Sequence, residues 1–546
     1  GYVLTGGDCN DNNNAVKPSA TENLCNGIDD NCNGIIDDGA INGCMDANAN
    51  NYNAAANCNT GCVYTDFTAG NIVALRVGTG TGALGSTGTA IFLDELNTTG
   101  IVRSLAIPTT GANRLVNSGT AASEGLLSRT QDGSKLTIAG YDAAVGYAPI
   151  TSSTALLVPR AINTIGISPS TLTRAASSTT YHGGNNFRSA CSDGNNHWGS
   201  GGATGIAYYG SGTPALVSTT VTNTRQLSVQ NNKLYFTTAS GASRGVYQVG
   251  TGLPTAAGAT STLVINMGGA ADPYAFQFSP NGTVCYIAEN TTGIQKWTYN
   301  GSTWSLAYTF SMGTGFIARG LAVDFYGFST PRIYAVATSA TQTNIVYFQD
   351  NGTNNTTTIN TISSLTQSTA NKAYRGIAFA PCTPSTWYAD ADGDGYGALA
   401  NTLSYCTQPY GYVANSTDCN DASAVSNPAA SEICDGLDND CNGAADNELN
   451  FVNYYNDADG DSYGAGSATN ACQSPGASYV TNDADCNDAV SSIYPGASEI
   501  CDGLDNDCAG GVDNGLTFLD YYADVDGDTY GAGAATNACA APVGMV

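Results

Sequence analysis

The sequence predicts an all-β protein: a β-propeller of six blades, with seven as the alternative, flanked by small Asp- and Cys-rich repeats with little regular secondary structure. Between residues 66 and 382, short runs of alternating apolar and polar residues recur with DG, NN and NG turns between them, and no helical period persists. Outside that stretch, Asp390, Asp457 and Asp524 mark a repeat of 67 residues.

The central stretch has the pattern of a ring of small sheets. Its repeats are about 40 to 60 residues long, enough for one four-stranded antiparallel sheet each, which favours a propeller over the alternative of a two-sheet sandwich. The run YRGIAFAP, residues 374–381, repeats the first strand of a blade with no blade after it, whereas residues 71–96 lack such a strand. We therefore expect the two ends to share one blade and close the ring. The long, irregular segment Asp142 to Asn186 is what leaves seven blades open.

The charge is distributed very unevenly. The chain has 45 acidic and 17 basic residues, but the flanking repeats hold 34 of the acidic residues and only one basic residue, Lys17. Such a density repels itself, so cations are expected in the folded state and nucleic acid is excluded as a partner. No apolar run is long enough to span a membrane, and no signal peptide opens the chain. The chain begins and ends at the same point of the repeat, so we expect it to be a segment of a longer protein.

These observations divide the chain into six segments. They are a partial Asp/Cys calcium cassette at 1–39, a small Cys-bracketed module at 40–65, the β-propeller at 66–382, cassettes at 383–447 and 448–514, and a partial cassette at 515–546.

Each full repeat contains a DADGDGYG-type loop that suits calcium. Calcium takes about six to eight oxygen ligands, and a loop supplies them when carboxylates alternate with small residues and Gly allows sharp turns. The loops resemble thrombospondin type 3 and dockerin calcium loops, but the distal bidentate Glu of an EF-hand is missing, so the closing ligand must come from elsewhere. The predicted ligands are Asp390, Asp392 and Asp394, then Asp457, Asp459 and Asp461, then Asp524, Asp526 and Asp528.

Two further sites are predicted in the DCND…ExCDGxDNDC segment, the next part of the repeat. Asp418, Asn420 and Asp421 are expected to bind a cation with Glu432, and Asp438, Asp440, Asn442 and Asp446 a third, with Gly443 at the turn. In the last copy Ala509 replaces Asn442, which predicts a weaker site. The equivalent residues are Asp8, Asn10, Asp11, Glu22, Asp29, Asn31, Asn33 and Asp37 in the first copy, and Asp485, Asn487, Asp488, Glu499, Asp505, Asp507 and Asp513 in the last.

This segment resembles the putative metal-binding motif family named from a methanotroph copper-scavenging protein. The resemblance covers about 30 residues in each of the three copies, and the alternative is that the Asp and Asn side chains simply form solvated turns. Copper is not expected, because it prefers thiolate, thioether or imidazole ligands and these loops offer carboxylate and amide oxygens.

The chain has 18 cysteines, which favours disulfides in an oxidising compartment. Zinc is the competing interpretation, but the cassettes contain no His. From the register of the repeats we expect pairs Cys434–Cys441, Cys501–Cys508, Cys25–Cys32, Cys406–Cys419 and Cys472–Cys486. Cys9 and Cys539 would lack partners, Cys58 and Cys382 would form a bridge at the ring closure, and Cys191 and Cys285 would be buried free thiols.

Residues 41–64 form a short module of their own. Its GC, NYN and GC pattern resembles a small module of secreted surface proteins of Bacteroidota, in which Cys44 and Cys62 would close the loop. By the same resemblance, export by type IX secretion is implied.

No catalytic motif is present, so the catalytic residues are predicted to be none. His182 and His197 lie near Asp193 in an Asn/Gly-rich stretch, where a metal or general-base site competes with plain surface residues. Arg188, Arg225, Arg319 and Arg375 lie at or near the start of presumed inner strands, so they could form a cationic ring for a carboxylate or acidic glycan. Their other interpretation is pairing with carbonyls or Asp between blades, or docking of the acidic cassettes.

The expected function is non-enzymatic. We expect a segment of a large secreted or cell-surface bacterial protein, rigidified by calcium ions and disulfides, that serves in adhesion or as an extracellular filament. Its partners would be further copies of itself or adjoining repeats of the same protein. The second interpretation is a propeller that binds a glycan or protein, and the third is a secreted hydrolase.

Overall fold

The computed structural model describes residues 6–46, 49–59, 61–210, 213–352, 358–366 and 370–546. Part of the predicted first cassette, residues 1–5, and residues 47, 48 and 60 of the small module lie outside this description. The described chain is all β apart from one 3-10 turn at Pro169–Thr171. It forms two compact units, residues 1–387 with 403–412, and residues 388–402 with 413–546. Among the described residues, no helix is long and apolar enough to cross a membrane.

The small module near the start contains one parallel strand pair. Strands β1 (Asn42–Gly43) and β2 (Cys58–Asn59) lie side by side, and the disulfide Cys44–Cys62 closes the module as predicted.

A nine-stranded sheet comes next in the same unit. Its first eight strands are β3 (Ile72–Val77), β4 (Gly88–Asn97), β5 (Gly100–Ala106), β6 (Val116–Ser118), β7 (Ser128–Arg129), β8 (Leu136–Tyr141), β9 (Arg160–Ile165) and β10 (Thr173–Ser178). The path runs β10-β9-β8-β6-β4-β3, with β5 beside β4 and β7 beside β8. The long, irregular segment Asp142 to Asn186 supplies β9 and β10 and thus extends this sheet.

Four antiparallel sheets of four strands lie after it in the chain, each formed by four consecutive strands in order. They are β11 (Phe187–Ser192), β12 (His197–Gly201), β13 (Gly205–Tyr208), β14 (Ala215–Ser218); β15 (Thr224–Gln230), β16 (Lys233–Thr238), β17 (Gly245–Val249), β18 (Ser261–Asn266); β19 (Pro273–Phe278), β20 (Val284–Glu289), β21 (Gly293–Tyr299), β22 (Trp304–Phe310); and β23 (Ile317–Asp324), β24 (Arg332–Thr338), β25 (Gln342–Gln349), β26 (Asn360–Thr366).

The last propeller strand returns to the first sheet. Strand β27 (Ala373–Phe379) pairs antiparallel with β3, with Ala373 opposite Val77 and Phe379 opposite Ile72. This pairing confirms that the two ends of the central stretch share one sheet. It also covers the free edge of β3, which would otherwise expose unpaired backbone groups.

The inner strands adjoin one another in a closed cycle, β7, β11, β15, β19, β23, β27 and back to β7. Apolar clusters fill the space between successive sheets; one holds Trp198 and Phe236, and another holds Phe310 and Phe348. A cycle of twisted sheets packed face to face is the arrangement of a β-propeller and differs from a two-sheet sandwich.

Glutamine side chains join neighbouring inner strands, which share no backbone ladder. Gln226 accepts a hydrogen bond from the Phe276 amide at 2.7 Å and donates one to the Leu127 carbonyl at 3.2 Å. Gln277 exchanges two such bonds with Val323. These bonds satisfy buried backbone groups close to the central channel.

The C-terminal repeats each contain one hairpin, and their cassettes consist of turns. The strands are β28 (Ser385–Ala389), β29 (Ala398–Tyr405) and β30 (Tyr412–Val413); β31 (Val452–Asn456), β32 (Ala465–Ala471) and β33 (Tyr479–Val480); and β34 (Leu519–Ala523) and β35 (Ala532–Ala538). The short third strand pairs beside the first in the two repeats that have one.

The predicted cysteine pairing within the cassettes is wrong. In every copy the first cysteine bonds to the third, giving Cys9–Cys32, Cys419–Cys441 and Cys486–Cys508. Predicted pairs Cys25–Cys32, Cys434–Cys441 and Cys501–Cys508 do not form. The third cysteine has a positive φ in all three copies, 55°, 56° and 53°, a left-handed backbone that directs its side chain away from the nearest cysteine.

The middle cysteine bonds to the element after its cassette. The bonds are Cys25–Cys58, Cys434–Cys472 and Cys501–Cys539, and Cys382 bonds in the same way to Cys406 after the next hairpin. Five further predictions are therefore wrong: the pairs Cys406–Cys419, Cys472–Cys486 and Cys58–Cys382, and the unpaired Cys9 and Cys539. They assumed bonds between cysteines close in the repeat, whereas the observed bonds of the middle cysteines reach the element that follows. Cys191 and Cys285 are buried free thiols, as predicted.

Candidate metal centres and the propeller mouth

The DADGDG loop is shaped by its own carboxylates. Asp390 accepts hydrogen bonds from the amides of Gly393 at 2.8 Å and Gly395 at 3.2 Å, and Asp394 accepts one from the Tyr396 amide at 2.8 Å. Gly393 has φ 83° and Gly395 φ 93°, which only glycine adopts without strain. Each aspartate thus fixes one turn of a tight loop.

Three carboxylates of this region each have one oxygen without a hydrogen-bond partner. The Oδ2 atoms of Asp392 and Asp394 are buried and have no hydrogen-bond partner, and the same holds for Oδ2 of Asp418. Buried oxygens without a donor are costly, particularly when they carry charge. Three such oxygens together are the arrangement that a bound cation would satisfy.

The DCND segment completes this cluster. Asp421 accepts a hydrogen bond from the Ala391 amide at 2.7 Å, and carboxylate oxygens of Asp390, Asp392 and Asp421 lie within 4.8 Å of one another. Partial burial, and then repulsion by Asp394, Asp392 and Asp421, raise the pKa of Asp418. The loop and the DCND segment form one cluster, which corrects the prediction of two separate sites.

The second repeat has the same geometry. Asp488 accepts a hydrogen bond from the Ala458 amide at 2.7 Å, and Oδ2 of Asp459, Asp461 and Asp485 is buried without a partner. Asp485 is only 8% exposed. Burial and the nearby carboxylates of Asp461, Asp459 and Asp488 raise its pKa.

A second cluster surrounds the ExCDGxDNDC turn, and Glu432 belongs to it. Glu432 Oε1 accepts hydrogen bonds from the amides of Asn439 at 2.7 Å and Asp440 at 2.9 Å, and its Oε2 is buried without a partner. Asp438 accepts from the Asn442 amide at 3.1 Å. These contacts place Glu432 against the turn at Asn439 and Asp440, beside the third predicted site; its grouping with Asp418 stays a prediction.

The other copies repeat this second cluster. Glu22 accepts hydrogen bonds from the amides of Asn31 at 3.2 Å and Asp37 at 3.0 Å, and Glu499 accepts from the Asp507 amide at 2.8 Å. Asp446 and Asp513 cap the preceding turn by accepting from two successive amides each. The Ala509 amide still binds Asp505 and Asp507, so the turn is kept while the side-chain oxygen of Asn442 is lost.

The remaining predicted ligands lie in turns of the same kind. Asp8 accepts from the Asn10 amide at 2.8 Å, and Asn10 from the Asn12 amide at 3.3 Å. The amides of Asn420 and Asn487 donate to Asp418 and Asp485 at 2.7 Å. Asp524 and Asp528 hold the third loop as Asp390 and Asp394 hold the first. Asn33 accepts a hydrogen bond from the Ile35 amide at 2.8 Å. For Asp11 and Asp526 the ligand role rests on the sequence pattern alone.

The donor set suits a hard cation. The cassettes contribute carboxylate and amide oxygens, and the cysteines that lie beside Asp418, Asp446, Asp485 and Asp513 are bonded as disulfides, so they offer no thiolate. Copper and zinc favour thiolate and imidazole ligands, which these clusters lack.

The four predicted arginines surround one aromatic ring at a mouth of the propeller. The guanidinium of Arg225 lies 3.9 Å, and that of Arg319 5.3 Å, from the ring centre of Tyr274. Burial, and then repulsion by Arg225, lower the pKa of Arg188 to about 10, and burial, and then repulsion by Arg319, do the same for Arg375. The four arginines that the sequence predicts as a group therefore lie near one another in the structure.

Each arginine also has a local partner. Arg225 forms an ion pair with Asp272 at 2.5 Å, and Arg319 donates to Asn290 at 2.9 Å. Arg188 and Arg375 donate to the carbonyls of Thr224 at 3.2 Å and Gly119 at 2.8 Å. These contacts match the alternative interpretation, pairing with carbonyls or Asp, but they use only some of the guanidinium nitrogens.

Glu124 and Tyr274 are the mouth residues that the prediction missed. Each precedes a small residue and then an apolar one, in EGL and YAF, as Arg375 does in RGI; this alignment was the available signal. Glu124 is buried and accepts from the Ser118 amide at 2.9 Å and from the Tyr141 hydroxyl at 2.5 Å. Burial raises the pKa of Glu124 to about 7 against the opposing effect of those two hydrogen bonds.

The two histidines have separate surroundings. His182 is buried between Phe187 and Tyr209, and burial together with Arg160 lowers its pKa to about 3. His197 lies on β12, where burial outweighs Asp193 and lowers its pKa. His182 is thus a neutral core residue.

These features define a β-propeller-like protein with metal-binding-motif cassettes. The family described as a "putative metal-binding motif" matches residues 8–38, 418–447 and 485–514. No curated protein sequence matches the chain.

The distantly similar solved structures include the following three. A protein from Bacteroides uniformis described as a "putative 6-phosphogluconolactonase" is 14% identical, with 54% of this chain and 83% of that chain covered and a TM-score of 0.34. One of the same description from Bacteroides fragilis is 13% identical (54% and 82%; TM-score 0.35). A GH74 enzyme of Niastella koreensis is 16% identical (54% and 46%; TM-score 0.33).

Proposed function

We propose that this chain is a non-enzymatic structural segment of a large secreted or cell-surface bacterial repeat protein. Calcium ions fill the carboxylate clusters of the cassettes, and the stiffened repeats carry a six-bladed propeller in an adhesive or filamentous assembly. The partners are adjoining repeats or further copies of the chain.

The observation that carries the proposal is the two-part cluster of Asp392, Asp394 and Asp418. Its three buried oxygens without partners come from a hairpin loop and from a segment more than 20 residues later. A cation that binds all three cross-links two parts of the repeat, because its ligands come from both parts. Calcium is the ion whose coordination number and oxygen preference fit best.

Disulfides support the extracellular location. The chain has eight bridges among its described residues, six of which join cysteines inside or next to the cassettes. Such a density is typical of proteins from oxidising compartments whose modules are too small for a large core. The closed cycle of inner strands supports six blades.

The test is a calcium titration of the full chain. Wild-type protein is expected to take up calcium at both complete two-part clusters and to discriminate against copper and zinc, measured by calorimetry and native mass spectrometry. The double variant Asp459→Asn/Asp461→Asn is expected to lose one bound ion, because the removed charges belong to one cluster. The control Asp483→Asn removes a nearby exposed charge outside the clusters and is expected to keep the stoichiometry. Copper preference, or equal uptake in all three proteins, contradicts the calcium role.

A second function, a binding propeller, is favoured by one observation. The mouth that holds Arg319 and Arg375 opens into a cavity of about 710 Å³, within the size range of ligand sites.

A further inference from the structure

The cavity at the mouth is lined by arginine side chains and by hydroxyl and amide groups. Arg319 and Arg375 lie on one side, and Thr120, Thr341 and Asn371 are among the polar groups around them. The cavity of about 710 Å³ also has the apolar side chains Leu84 and Ile317 in its wall. Hydroxyl and amide groups beside an apolar wall are suited to a polyhydroxylated ring.

Several guanidinium groups at this mouth have hydrogen-bonding capacity left over. Arg375 is only 5% exposed, and its Nε has no hydrogen-bond partner. Buried nitrogens without partners also occur at Nε of Arg188 and at Nε and Nη1 of Arg225. Buried donors without acceptors are unusual in native proteins, and at Arg375, which lines the cavity, a ligand oxygen is one way to satisfy the donor.

The charge at the mouth is not balanced by the protein. Four arginines lie around Tyr274; Glu124 and Asp272 act on Arg188, Glu124 acts on Arg375, and Asp272 forms an ion pair with Arg225. Asp272 is already paired with Arg225. Burial raises the pKa of Glu124 to about 7, so this carboxyl is only partly ionised near neutral pH. An anion between Arg319 and Arg375 would offset their mutual repulsion.

We infer that the propeller mouth binds an acidic saccharide, with a carboxylate held by Arg319 and Arg375 and the sugar hydroxyls held by the Thr and Asn side chains of the rim. Arginine forks match a carboxylate in a bidentate manner, which gives both charge and direction. The cavity exceeds what a lone inorganic anion requires, so the saccharide ring accounts for the remaining space. This site goes beyond the calcium-dependent structural role and does not depend on it.

The experiment measures binding of trigalacturonate by calorimetry to the full chain, with maltotriose as a neutral saccharide and sulfate as an inorganic anion. Arg319→Gln is the test variant, because this partly buried arginine lines the cavity. Arg332→Gln is the matched control: it lies at the other end of the same sheet, at the start of β24, with its guanidinium 3.5 Å from the ring centre of Phe328. Circular dichroism checks that both variants fold.

The expected result is that trigalacturonate binds wild-type protein and Arg332→Gln equally and Arg319→Gln about tenfold or more weakly, while maltotriose does not bind. Equal binding of sulfate and trigalacturonate overturns the saccharide part of the inference. Binding that persists in Arg319→Gln shows attachment elsewhere, for example through calcium in the cassettes, and overturns the site. No binding of trigalacturonate by wild-type protein overturns it as well. None of these outcomes changes the calcium stoichiometry, so the two proposals fail separately.

Discussion

In the cassettes, the two oxygens of one carboxylate have different surroundings: one accepts a backbone hydrogen bond and the other is left without a partner. In Asp394, Oδ1 accepts from the Tyr396 amide, whereas Oδ2 is buried without a partner. Asp461 repeats this division with the Tyr463 amide. The backbone geometry is therefore set by hydrogen bonds that need no ion, and the free oxygens are presented together. Repulsion among them is the cost that a cation removes.

The buried His182 makes a pH prediction for the propeller. Its pKa in the folded state is about 3, below the ordinary value of 6.5, so the unfolded chain binds the proton more tightly and stability falls as the pH drops from about 6.5 towards 3. Asn tolerates the positive φ of 61° at this position, so His182→Asn is the suitable variant. Between pH 6.5 and 4.5, we expect the free energy of unfolding to fall by about 2 to 3 kcal/mol less in this variant than in wild type.

Urea unfolding of both proteins at pH 7.5 and 4.5 checks this. Any constant cost of the substitution cancels in the difference between the two pH values, and the carboxylates titrate alike in both proteins. The same loss of stability in wild type and variant would show that His182 is not buried in its neutral form.

At the scale of elements, the disulfides join each cassette to the next hairpin along the chain. Cys434–Cys472 spans the whole hairpin of β31 and β32, and Cys501–Cys539 spans that of β34 and β35. Cys382–Cys406 does the same for β28 and β29 from the end of the propeller. Each hairpin is thus bracketed by a covalent bond to the preceding module, which supports a short strand pair that would be marginal alone.

Removal of one such bridge should loosen a single repeat. The double variant Cys434→Ser/Cys472→Ser is expected to destabilise the hairpin of β31 and β32 by about 2 to 4 kcal/mol, because the unbridged unfolded chain gains conformational freedom. Limited proteolysis of residues 448–484 is the measurement, with Cys191→Ser, a buried free thiol, as the control that keeps all bridges.

Non-reducing peptide mapping tests the pairing itself. A peptide that links Cys434 to Cys472 is expected. A peptide that links Cys434 to Cys441 would contradict this pairing and restore the one expected from sequence spacing.

At the scale of the whole molecule, the propeller and the cassettes differ in how much apolar surface they bury. The propeller buries large apolar clusters between its sheets, for example around Phe310 and Phe348. In the cassettes most of the large apolar side chains, such as Leu437, Ile500 and Val512, are exposed, so there is little hydrophobic core to hold them. Their order therefore depends on the disulfides and, in the proposed function, on bound calcium ions.

Chelation should therefore act on the cassettes and leave the propeller folded. With calcium removed by a chelator, we expect faster proteolysis within residues 388–546, because carboxylate repulsion is no longer offset, while the β signal of the propeller in circular dichroism is kept. Re-addition of calcium should restore resistance, and magnesium should do so less well because its octahedral preference fits these loops poorly. Unchanged protease resistance and thermal stability after chelation would contradict the calcium-stabilised cassette.

The sequence by itself determined the features that local pattern controls. The all-β class, the return of YRGIAF to the first sheet, the repeat of 67 residues, the closure of the small module by Cys44 and Cys62, and the two buried thiols all result from alternation, spacing and composition, which are properties of neighbouring residues. The grouping of four arginines at one mouth came from their equivalent places on inner strands.

Only the tertiary structure decided which distant residues meet. Asp418 and Asp421 complete the DADGDG loop, Glu432 contacts the turn at Asn439, and Cys434 and Cys501 each bond across a hairpin. The positive φ of Cys441 and the fold of the hairpin set these partners, and spacing along the chain encodes neither. Glu124 and Tyr274 lie near the arginines for the same reason, because closure of the ring, rather than residue type, brings the inner strands together at one mouth.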